Sequence, residues 1–220
     1  MRKLILALGA ILLAAAAPPA TDWSKTVVRS PDGAFLVGNP KAPKKLVEFA
    51  SYTCGHCAEF SVEAAKELDE QIAAGKVRLE FRHALRDPVD LTAAMLARCA
   101  GPRGFLPATH AIYAAQGAWM NRAQSYVTGN KAALEAATPD KARLMVAKGS
   151  GLLAVVAPLG VTEAKAATCL ASKAEESLLV AQANDAWSKR KIPGTPYFTL
   201  NGAALEANLW PGVKAEIAKP

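Results

Sequence analysis

Two cysteines stand three residues apart in Cys54-Gly55-His56-Cys57. Cysteines at that spacing can close and reopen a small disulfide, supply half of a zinc site, or anchor a haem. Haem attachment needs His directly after the second Cys, and Ala58 stands there. Zinc would want a second Cys/His pair at knuckle spacing. Cys99 and Cys169 stand alone, and neither His83 nor His110 is paired with them. A structural disulfide and a redox-active one remain, and the surroundings of the motif favour redox chemistry.

Those surroundings begin with Lys45 to Ser51, a mainly apolar run that reads as a buried strand. After the cysteines, Phe60, Ala64 and Leu68 recur at helical spacing, and Gly75 closes the helix. Cys54 therefore falls at a helix N-terminus, where free N–H groups and the positive dipole end stabilise a thiolate. Cys57 lies one turn further in and should keep its proton. One sulfur is a ready nucleophile and leaving group; the other resolves a mixed disulfide. His56 can place positive charge beside Cys54 and lower its pKa further. A stabilised thiolate favours the dithiol, which makes the disulfide the better oxidant.

The elements that must hold this motif follow from pattern. Thr26 to Arg29 and Phe35 to Val37 are short strand candidates joined by the turn Pro31-Asp32-Gly33. Val77, Leu79 and Phe81 alternate as a second strong strand. The chain turns helical after Asp87-Pro88, with Leu91, Met95 and Cys99 on one stripe, and stops at Gly101-Pro102. Thr138-Pro139 starts another helix, and Ala166, Cys169 and Leu170 suggest a short one. Ser172-Lys173-Ala174-Glu175 reads as a capping box opening a long helix. Ile192 to Pro196 break it, Tyr197 to Leu200 form a strand, Asn201-Gly202 turns, and a helix closes the chain. Alternating β and α elements imply a central mixed sheet with helices packed on it. The helical block looks inserted: residues 21–87 and 188–220 form one unit, and 88–187 the insertion.

The 220 residues suit one domain carrying such an insertion, and 47 alanines agree with the helical excess. A 51% apolar, 20% charged composition excludes a disordered chain. Arg2 and Lys3 precede an apolar run from Leu4 to Ala17, followed by small residues. Residues 1–20 thus read as a secretory signal, which places the mature protein outside the cytoplasm as a soluble, periplasmic species. Removing them leaves 24 basic against 19 acidic residues. These are spread along the chain, with Lys189-Arg190-Lys191 the only run of three, so nucleic acid is not an expected partner. There is no phosphate loop, dinucleotide fingerprint or serine elbow.

The stretch Val47-Glu48-Phe49-Ala50-Ser51-Tyr52-Thr53-Cys54-Gly55-His56-Cys57, together with Gly194-Thr195-Pro196-Tyr197-Phe198, resembles the DsbA-like branch of the thioredoxin superfamily. The resemblance extends through the order of elements and the helical block. It implies a thioredoxin-like fold with an inserted helical domain, and thiol:disulfide oxidoreductase activity without a metal or organic cofactor. It makes Cys54 the nucleophile and Cys57 the resolving cysteine. Pro196 would be the family's cis-proline, Thr195 would offer backbone groups to an extended substrate peptide, and Glu48 would be the buried acid beneath the motif, taking a proton from Cys57. Cys99 and Cys169 would form the second disulfide that some members carry; two free thiols are the alternative.

Unfolded or reduced secreted proteins are the implied substrates, and a membrane reoxidase of the DsbB type the implied partner. Only about 35 residues separate the presumed mature start from Cys54, which leaves little room for an oligomerising arm and favours a monomer. Gly55-His56 and Thr195 are also compatible with a reductase or isomerase using the same residues. A reading of a different class is a peptide-binding chaperone whose Cys pair is structural.

Overall fold

A computed structural model describes residues 21–220; the proposed signal segment lies outside the described residues. Strands β1 (Val27–Arg29), β2 (Phe35–Gly38) and β3 (Lys44–Ala50) lead to helix α1 (Gly55–Ala73) and strand β4 (Val77–His83). Eight helices follow: α2 (Pro88–Cys99), α3 (Pro102–Ala114), α4 (Gln116–Gly129), α5 (Lys131–Ala136), α6 (Pro139–Gly149), α7 (Leu152–Val156), α8 (Glu163–Leu170) and α9 (Lys173–Asn184). Strands β5 (Tyr197–Leu200) and β6 (Ala203–Ala204) and helix α10 (Trp210–Ala218) complete the chain. The sheet runs β1-β2-β4-β3-β5-β6. Only β3 and β4 pair in parallel; the other neighbours are antiparallel. The expected mixed sheet with many helices is the observed one.

The central position of β3 explains its apolar sequence, since both of its faces are covered. Leu46 packs with Phe60, Ala64, Leu68 and Ile72 of α1, and with Phe198, Trp210 and Val213 from the chain's end. On the same face Ala50 joins the core made largely by α2, α3 and the helices after them, while Phe49 on the opposite face packs with Ala84, Ala186 and Ile192. Glu48 stands between these contacts, opposite Phe81 on β4 and Phe198 on β5. The stripe read from Phe60 to Leu68 extends to Ile72, and Gly75 then takes φ +73° against the Trp23 ring.

Three local details depart from the pattern. Ser172 accepts a hydrogen bond from the Glu175 N–H, but the Glu175 carboxylate turns away to Arg98, 2.7 Å from Nε, so half the capping box forms. The guanidiniums of Arg98, buried on α2, and of Arg29 on β1 attract that carboxylate more strongly than one amide does. Helix α9 ends in a π-turn, Asp185–Lys189, which lets the Trp187 indole donate to the Leu85 carbonyl at 2.9 Å. Gln182, a polar residue within the apolar stripe of α9, is buried: its Oε1 accepts from His83 N–H and its Nε2 donates to the Asp32 carbonyl, both at 2.9 Å.

Cys99 and Cys169 are bonded to each other, joining α2 to α8. Among the described residues no single helix is long and apolar enough to cross a membrane.

Candidate active site

Cys54 is the N-cap of α1, with extended backbone, and Gly55 begins the helix. Both motif cysteines are free thiols; Cys54 is 5% exposed and Cys57 fully buried. The Thr195–Pro196 bond is cis. The Thr195 carbonyl accepts from the Cys54 thiol at 3.0 Å, across 141 residues of sequence.

The two sulfurs ionise very differently. The Cys57 thiol donates to Cys54, and with the Thr195 side chain and the N–H groups of Cys57 and His56 it holds the Cys54 thiol down to about 5. Burial and the neighbouring carbonyl favour the protonated form, but four donors around one sulfur outweigh them. Burial, then the hydrogen bond to Cys54, push the Cys57 thiol far up. His56 differs from expectation in how it reaches the sulfur. Its ring is exposed and its Nδ1 lies 3.1 Å from Glu59 Oε2, so its contact with Cys54 is through the main chain.

The loop before Cys54 is fixed from two helices that the sequence did not connect with it. Asp90 accepts from Ser51 Oγ at 2.6 Å, Tyr52 N–H at 2.8 Å and Arg86 N–H at 3.0 Å. Asp87 caps α2 through Val89 and Asp90 N–H and also accepts from Thr53 Oγ1 at 2.6 Å. From α4, Gln116 Nε2 donates to the carbonyls of Tyr52 and Cys54, each at 2.8 Å. A polar residue at one helical position has no periodic signature, so only Asp87-Pro88 was visible, as a helix start.

Glu48 lies under the motif, 4% exposed, and burial raises its carboxyl to about 8. It is near enough to Cys57 to push that thiol up further. The Tyr113 hydroxyl, buried and without a hydrogen-bond partner, lines the same small chamber as Glu48. On the outside, Cys54, His56, Glu59, Arg86, Trp187, Gly194 and Thr195 line an open groove of about 640 Å³. Such an arrangement can take the groove-side sulfur of Cys54 through attack and departure, keep its partner protonated, and hold an extended peptide beside Thr195.

The family model described as thioredoxin matches residues 30–217. The chain belongs to the thioredoxin family. Within this thioredoxin-like family its fold is DsbA-like. A protein-disulfide isomerase from Novosphingobium aromaticivorans superimposes with a TM-score of 0.74 at 27% identity, covering 84% of this chain and 97% of that one. Wolbachia pipientis alpha-DsbA1 gives 0.61 at 24%, covering 79% and 77%. A Rickettsia prowazekii protein, provisionally named a protein-disulfide oxidoreductase, is 28% identical over 186 residues. The alignment spans 83% of this chain but 60% of that relative, and 59% of its counterpart in Rickettsia conorii.

Proposed function

We propose that the chain is an exported thiol:disulfide oxidoreductase that introduces disulfides into substrate proteins through Cys54 and Cys57. The observation that carries this reading is the contrast between the two sulfurs, four donors favouring a Cys54 thiolate while Cys57 stays protonated. A thiolate stabilised in the reduced form makes the disulfide easier to reduce, hence the protein a stronger oxidant.

In the forward step a substrate thiolate attacks Cys54 Sγ, the Cys54–Cys57 bond breaks, and Cys57 leaves as a thiolate that takes up a proton. The substrate's second thiolate then attacks its own sulfur in the mixed disulfide. Cys54 departs as the stable thiolate, with substrate oxidised and enzyme reduced. Glu48 is the proton donor to Cys57, the Thr195 main chain aligns the peptide, and Cys99–Cys169 staples the helices of the 88–187 insertion. No metal or organic cofactor enters these steps. A DsbB-type membrane protein would reoxidise a monomeric enzyme. The periplasmic setting rests on the charged start and apolar run of residues 1–20.

A reductase or isomerase would use the same residues, and the name of the Novosphingobium neighbour favours that direction. The redox equilibrium of Cys54–Cys57 in glutathione buffers separates the two, with a Cys99→Ser/Cys169→Ser protein isolating the pair. The expected couple is clearly more oxidising than glutathione. A couple at or below it overturns the oxidase reading in favour of the isomerase; absence of any reversible transition leaves a structural Cys pair.

A further inference from the structure

Glu48 also lines a small chamber whose walls include neither Cys54 nor Cys57. The chamber it lines, between α1, α3 and the sheet, has a volume of about 20 Å³, room for a single water. Thr109 and Tyr113 of α3 and Ser61 of α1 bring hydroxyls to its wall. On the surface lies a separate cleft of about 510 Å³, between α1, α3 and the turn before β1. Three residues belong to the walls of both spaces: Asp69, Leu106 and His110. Leu106 is inert to protons; the other two are a carboxylate and an imidazole, with Oδ2 and Nδ1 3.6 Å apart and both side chains partly exposed. Asp22, Lys25, Glu70 and Arg103 are the remaining charged groups around the cleft.

We propose that Asp69 and His110 form the passage through which protons move between solvent and Glu48. The proposal rests on the redox reading above, because only a turnover that ionises Cys57 gives Glu48 protons to exchange. When Cys57 leaves the disulfide as a thiolate, the Glu48 carboxyl gives it a proton and becomes a carboxylate. A His110 imidazolium then gives a proton to the chamber water, that water passes one of its own to Glu48, and solvent in the cleft reprotonates His110. Asp69, 3.6 Å away, favours the imidazolium through its charge. Reoxidation runs the same transfers backwards as Cys57–SH is consumed. His110 and Asp69 are thus positioning and relay groups, not catalytic ones. Burial lowers the proton affinity of His110 below that of an ordinary imidazole, and Asp69 offsets part of that loss.

Stopped-flow reduction of the Cys54–Cys57 disulfide by a dithiol peptide tests this, in dilute non-penetrating buffer and in concentrated imidazole. Replacing His110 by Gln keeps most of the volume without a titrating nitrogen, and is expected to slow Cys57 protonation about tenfold in dilute buffer, below the range of a directly acting general acid. Replacing it by Ala should slow the same step, and imidazole entering the vacated space should restore it. In a Glu48→Gln background neither the His110 changes nor imidazole should matter. Wild-type rates in both His110 variants, or a slowed Ala variant that imidazole does not restore, would overturn the passage while leaving the redox reading intact. A wild-type protein with no reversible disulfide removes both readings.

Discussion

At the scale of single residues, Cys54 and Glu48 are displaced from their ordinary ionisation in opposite senses, with opposite consequences for stability. The Cys54 thiol falls from 9.0 to about 5. A lowered folded pKa stabilises the reduced protein fully above pH 9, and that advantage is lost as pH falls through about 5. Ultraviolet thiolate absorbance of the reduced protein should therefore show a step near pH 5 that Cys54→Ser abolishes. Cys57→Ser should move it, because the Cys57 thiol is the foremost donor to Cys54. Glu48 rises from 4.5 to about 8, so its burial costs nothing below pH 4.5, an increasing amount up to pH 8, and a constant amount beyond. Glu48→Gln should thus raise the unfolding free energy at pH 8 by on the order of several kcal/mol, with a higher melting temperature, leave both unchanged at pH 4, and slow turnover. A melting temperature shifted equally at both pH values would contradict a buried, neutral Glu48.

Among elements, the motif loop hangs from α2 and α4 rather than from the strand and helix that contain it. Removing the Gln116 amide leaves the Tyr52 and Cys54 carbonyls without that donor. Gln116→Ala should cost about 1–3 kcal/mol in denaturant unfolding, and iodoacetamide should trap Cys54 faster than in wild type. An unchanged alkylation rate would mean the loop is held without α4. These contacts also mark what the sequence could show. Strands β3 and β4, the α1 stripe and the Cys54 N-cap each announce themselves through local periodicity or punctuation, and all are where pattern places them. Asp90, Gln116 and Gln182 reach partners 38 to 150 residues away, and separation of that order leaves no trace in a window of one helix. The π-turn at Asp185 is similar: it exists because Trp187 finds the Leu85 carbonyl, a partner 102 residues away. Thr195 and Pro196 were legible only through family resemblance, since an isolated Thr-Pro carries no local sign of a neighbouring sulfur.

For the whole molecule, the helices between β4 and β5 are tied by Cys99–Cys169, a loop of 70 residues. Constraining a loop of that length in the unfolded chain contributes about 4 kcal/mol. Cys99→Ser/Cys169→Ser should accordingly melt roughly 10 °C lower, with the Cys54–Cys57 couple shifted little. A large shift of that couple would show that the distant bond tunes the site.

The span between Cys54 and Thr195 also sets an order of events during synthesis. A chain made from its N-terminus carries both motif cysteines and then Cys99 and Cys169 well before β5 exists. Until β5 docks on β3, Cys54 lacks its Thr195 neighbour and part of the cover that limits access to it. The growing chain therefore holds four thiols of more nearly equal reactivity, and the distinction between reagent and staple arises only when the last strand closes the sheet. Correct pairing in this protein is thus a matter of timing as well as of geometry, and a chain truncated before Tyr197 should accumulate wrong pairings that the full chain avoids.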